Sequence, residues 1–128
     1  MSDATYDKGL EIRREMFGAE MTDSHINNAS ELDEKLQDLV TRYCFGEVWT
    51  REELPRNIRS MLTMALLAAQ GRQEELRAHI IGAKANGVSN DEIREVLLHT
   101  MIYCGVPTGV GALRIARQVL EDNEQQWA

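Results

Sequence analysis

The sequence predicts an all-α fold, one domain spanning residues 1–128 and built from about six helices, with its core over about 30–123. Three observations lead there. Apolar residues recur three and four positions apart along most of the chain, the spacing of a helix face. No stretch alternates apolar and polar residues as a half-buried strand does. Gly18, Gly46, Gly71, Gly87 and Gly105 punctuate the periodic segments, and only two prolines occur.

The first helix runs from about Thr5 to Phe17 and stops before Gly18. Residues 19–30, "AEMTDSHINNAS", are polar and turn-rich, with room for one short helix. Ser30, with Asp33 three residues on, reads as the N-cap of the next helix, close to a capping box. That helix carries Leu32, Leu36, Leu39, Val40 and Tyr43 as one apolar stripe and ends near Gly46. "GEVWTREEL" is a loop or short turn, and Pro55 suits the first turn of a helix over 55–70. From Met61 on, that helix is apolar almost all round, and in so small a domain one face is expected to meet another subunit. A helix over 73–86 follows, stopped by Gly87. Ser89 and Glu92 form a capping box for the next, which places Ile93, Val96, Leu97, Thr100, Met101 and Cys104 on one face. Gly105 and Pro107 end it, and a last helix over 108–123 buries Ala112, Leu113, Ala116, Val119 and Leu120. Trp127, in the tail, is placed to dock on a partner.

Charge and composition exclude several functions. The net charge is −7 and no basic stripe occurs, which argues against nucleic-acid binding and requires a local basic pocket for any anionic substrate. The start has no apolar leader segment, and the longest strongly apolar run, "MLTMALLAA", is too short to span a bilayer. The reading is a cytoplasmic protein with reduced thiols, in which Cys44 and Cys104 are buried packing residues. His25, His79 and His99 show no metal-ligand spacing, and no phosphate-binding glycine loop is present.

The stretch "ELRAHIIGAKANGV" (75–88) carries the candidate chemistry. His79 lies one turn after Glu75, with Arg72 continuing the line, at the border of the apolar stripe Leu76–Ile80–Ala83. The turn at Gly87–Val88 predicts an antiparallel hairpin that sets His79 opposite Val96, with His99 about 4.5 Å deeper along the axis. His99 shares a face with Glu92, Glu95 and Tyr103.

Three segments together, "GEVWTREELPRNIRSMLTMALLAA" (46–69), "EELRAHIIGAKANGVSNDEIREVLLHTMIYCGVP" (74–107) and "ALRIARQVL" (112–120), resemble the γ-carboxymuconolactone decarboxylase family. The resemblance implies an alkyl-hydroperoxidase-D-like all-α fold, a homohexamer arranged as a trimer of dimers, and a decarboxylase of protocatechuate catabolism that uses no cofactor and no metal. Its implied substrate is 4-carboxymuconolactone, a small anionic lactone. The chemistry then asks for an acid, for which His79 is the candidate, oriented by Glu75 or Glu47. His99 is the second candidate, as dienolate donor or binding group. Arg51, Arg59 and Arg72 are candidates for the carboxylates, and Trp49 for the pocket wall. The wider superfamily includes peroxidases with a CxxCxxxH motif; Arg72, Glu75 and His79 stand at that spacing, so both cysteines are missing. A hydroperoxidase-like redox protein is therefore the alternative, and a non-catalytic helical oligomer that binds a small acid is a further one.

Overall fold

The computed structural model describes residues 2–122; Trp127 lies outside them. Among the described residues there are seven α-helices, one π-helical segment and no strand. The chain divides into two compact units, 1–55 and 56–128.

In the first unit, α1 (Ser2–Phe17) and α2 (Ala19–Asn27) precede α3 (Glu34–Leu39), which continues without a break as a π-helix, Val40–Val48. The segment 19–30 is thus largely helical. The Ser30 capping box does not form: α3 begins at Glu34 with no side-chain cap, and the Ser30 hydroxyl donates to Asp33 Oδ2 at 3.3 Å instead. The helix also passes Gly46, and the π winding closes on Trp49, whose N–H donates to the Cys44 carbonyl, five residues back, at 3.0 Å.

The buried face of this segment is a correction to the sequence reading. Leu32, Leu36, Leu39 and Tyr43 are 88%, 55%, 39% and 50% exposed. The face turned inward is Thr41, Phe45 and Trp49, packed with Ile12 and Met16 of α1. Phe45 meets Phe17 edge-on at 5.8 Å and stacks on Trp49 at 5.7 Å. Arg13 decides the register. It is 6% exposed, and its Nη1 donates to Gln37 Oε1 at 3.0 Å and Thr41 Oγ1 at 2.8 Å. A buried guanidinium needs oxygen acceptors, so Gln37 and Thr41 turn towards α1 beside Phe45 and Trp49, and the leucines face out. The two backbones meet at glycines: a Cβ on Gly9 would collide with the Thr41 carbonyl, and one on Gly46 with the Thr5 carbonyl.

The second unit holds α4 (Arg56–Ala69), α5 (Gln73–Ala85), α6 (Asn90–Cys104) and α7 (Val106–Asp122). Met64, Leu76, Ile80, Val88, Ile93, Leu97, Ile115 and Val119 form its core, each no more than 5% exposed. Helices α5 and α6 each pack against α4 and α7 and share no extensive contact with each other, so the expected hairpin is a diagonal pair of a four-helix array. The turn between them is as read. Gly87 has φ +87°, and the Val88 N–H donates to the Ala83 carbonyl at 2.9 Å, which closes α5. Ser89 caps α6, its Oγ accepting from Glu92 N at 3.0 Å while Glu92 Oε1 accepts from Ser89 N at 2.9 Å. Pro107 does not separate α6 from α7; it sits in the first turn of α7, where its missing N–H costs nothing. Helix α4 buries Ser60, Met64 and Ala68 but leaves Leu62 and Leu66 51% and 61% exposed.

Candidate functional site

The candidates are divided between the units: Glu47, Trp49 and Arg51 in the first, and Arg59, Arg72, Glu75, His79 and His99 in the second.

His79 lies on α5 between the buried Leu76, Ile80 and Ala83. The ring is half-buried, and burial pushes its pKa down from 6.5 to about 4, because an imidazolium loses hydration there. At pH 7 the ring is therefore neutral, with one nitrogen a donor and the other an acceptor. An acid of that pKa holds little proton at neutral pH. A negative charge brought beside it would raise the value. Glu75, one turn earlier, is exposed to solvent.

His99 is not a neighbour of His79 by hairpin register, since α5 and α6 are diagonal. It lines a groove of about 360 Å³ between α4 and α6, with Glu95 and Thr100 beside Ile58, Met61, Leu62, Ala65 and Val96. Its ring lies 5.0 Å from that of Tyr103, tilted by 37°.

The three arginines are not equivalent. Arg51 is exposed and pairs with Glu53 at 3.7 Å. Arg59 is half-buried on α4. Arg72 stands at the cap of α5, after the Gly71 turn with φ +71°, and lines a hollow of about 250 Å³ between the starts of α5 and α7. Gln73 and Thr108 share that hollow, and sequence reasoning missed both. Polar residues beside a glycine and a proline look like turn residues until α5 and α7 bring them together. In the first unit Trp49 is 6% exposed, a wall of the aromatic cluster, and Glu47 is exposed.

Both cysteines are exposed, against the expectation that they pack inside. Cys44 lies within the π segment on its exposed side, and Cys104 ends α6 just before the Gly105 turn. Desolvation around the Cys44 sulfur raises its thiol pKa, opposed by the nearby Arg13 and a hydrogen bond from Trp49, the reverse of an activated thiolate. No helix of the described residues is long and apolar enough to cross a membrane.

Over 117 residues, 91% of this chain and 87% of the relative, the sequence is 38% identical to the 4-carboxymuconolactone decarboxylase of Acinetobacter baylyi. It is 36% identical over 117 residues, 91% of this chain and 82% of the relative, to the nitrosuccinic acid decarboxylase npaB of Metarhizium robertsii. Residues 34–118, from the start of α3 to the last turns of α7, match the profile of the Carboxymuconolactone decarboxylase family, and the chain belongs to that family.

Proposed function

We propose that this protein is a carboxy-lyase that decarboxylates 4-carboxymuconolactone to the β-ketoadipate enol-lactone, without a cofactor, in protocatechuate catabolism. The observation that carries the reading is the likeness, across nine-tenths of the chain, to two decarboxylases.

The substrates named for those relatives share a logic. Each is a small acid with two carboxylates and its own electron sink: an unsaturated lactone in one case, a nitro group in the other. In the lactone, the C–CO2 bond breaks and its electron pair moves through the ring double bond onto the lactone carbonyl, giving a dienolate. A proton delivered to the α-carbon then yields the enol-lactone. The protein has to hold the surviving carboxylate, steady the dienolate oxygen and supply that proton.

His79 is the proton donor in this reading. The arriving dianion raises the pKa of its desolvated ring, so the acid is loaded when the substrate binds. Glu75 orients the ring in this reading, and His99 is the group considered for the dienolate oxygen. Arg59 and Arg72, both in the second unit, are the cations considered for the carboxylates. The protein acts as a single domain in a cytoplasmic homohexamer, a trimer of dimers; the exposed apolar side chains Leu62, Leu66, Ile102, Tyr103 and Val110 support assembly.

The test is direct. Purified protein with no added cofactor is expected to release CO2 from 4-carboxymuconolactone and to consume its absorbance at the same rate. Turnover of nitrosuccinic acid in its place would change the substrate and keep the reaction class. Inertness towards both would overturn the proposal.

A further inference from the structure

A net charge of −7 makes any uncompensated cation on this chain informative. Most of its arginines with described contacts are committed: Arg14 to Asp23, Arg42 to Asp38, Arg51 to Glu53, Arg77 to Glu74, and Arg94 to Asp91 and Glu95. Arg72, like Arg114 and Arg117, takes part in none of the ion pairs among the described residues, and of these three it alone lines a hollow. It stands instead on the wall of the hollow between the starts of α5 and α7, and no Asp or Glu lines that hollow.

The lining has two sides. Leu67, Ala68, Leu76 and Pro107 are apolar, while Arg72, Gln73 and Thr108 offer a guanidinium fork, an amide and a hydroxyl. The Gln73 amide reaches across to α7, where Gly111 lies within ordinary contact of its Nε2. At about 250 Å³ the hollow is below the usual range of pockets for whole ligands, about 300–1,000 Å³, and suits one arm of a small acid. Arg72, Leu76 and His79 fall on one face of α5, with Leu76 between the two polar residues and also part of the wall. Arg72 and His79 are about 10 Å apart along the axis.

We propose that this hollow is a carboxylate subsite, in which Arg72, Gln73 and Thr108 hold the carboxylate that the substrate keeps after CO2 leaves. The identity of that substrate rests on the decarboxylase reading; the existence of the subsite does not. A guanidinium fork matches a carboxylate in two hydrogen bonds, and the apolar wall takes the carbon skeleton.

The experiment is calorimetric titration of the full chain with maleate at pH 7, together with the KM for the lactone. The parent is compared with Arg72→Gln, Thr108→Val and, as a surface control, Arg94→Gln; thermal melts establish that each variant is folded. Arg72→Gln is expected to weaken maleate binding about tenfold or more and to raise the lactone KM by a similar factor, with kcat changed far less. Thr108→Val is expected to lose less, and Arg94→Gln to match the parent. Absence of maleate binding by the parent at millimolar concentration, parent-like binding by Arg72→Gln, or an equal loss in Arg94→Gln would each overturn the subsite. Maleate binding that depends on Arg72 in a protein inert towards both the lactone and nitrosuccinic acid would sink the decarboxylase reading and leave the subsite standing. Lactone turnover with an unmoved KM in Arg72→Gln would do the reverse.

Discussion

Replacing His79 by glutamine is expected to lower kcat for the lactone by about 10²–10⁴-fold, or roughly 3–5 kcal/mol of barrier, with little change in KM. Glutamine keeps the size and the hydrogen-bonding capacity of the imidazole and removes the group that carries a transferable proton. The effect is expected in kcat because proton delivery to the α-carbon belongs to the transition state and not to ground-state binding. The matching substitution His99→Gln is expected to cost less, since that ring stands at the edge of the groove between α4 and α6. Steady-state kinetics on both variants check this. A loss of only a few-fold in His79→Gln, beside a large one in His99→Gln, would exchange the two roles.

Gly9→Ala is expected to destabilise the protein by about 2–4 kcal/mol, although alanine is the better helix former. In an open helix the change would stabilise by about 0.5–1 kcal/mol. Here the new methyl group would enter the backbone carbonyl of Thr41, and a main-chain atom cannot swing aside as a side chain can. The helices must separate, which pulls Arg13 from Gln37 and Thr41 and loosens the Phe45–Trp49 stack. Thermal or urea unfolding measures it. A variant as stable as the parent, or more so, would show that α1 does not press on the π-helical segment at Gly9.

The elements that the sequence made legible are those fixed by local chemistry. The Ser89–Glu92 box needs only two side chains and two amides three residues apart, and it is present as read. Gly87 closes α5 for the same reason. What could not be read depends on partners far along the chain. Leu32, Leu36, Leu39 and Tyr43 form a proper stripe, but the inward face is chosen by Arg13, which draws Gln37 and Thr41 into the interior. Nothing in "EIRREMF" tells which arginine is buried. The short link at Gly87 fixes the end of α5 and not the angle at which α6 leaves, so the facing of His79 and His99 was read from a hairpin that does not form. His79 itself was legible as a boundary residue of an apolar stripe. The depth of its desolvation was not, because that depends on what the rest of the fold lays over the ring. Arg72 was one of three equal candidates, and only the hollow it shares with Gln73 and Thr108 separates it from Arg51 and Arg59.

The central claim is that His79 is a neutral, desolvated imidazole that takes its proton when the anionic substrate arrives. An NMR titration of its ring, followed in the free protein and with a saturated, non-reacting analogue of the lactone diacid, measures this directly. The account predicts a free-state midpoint near 4, well below the ordinary 6.5, and a clear upward shift in the complex. A ring that titrates near 6.5 when free and does not respond to the diacid would contradict it.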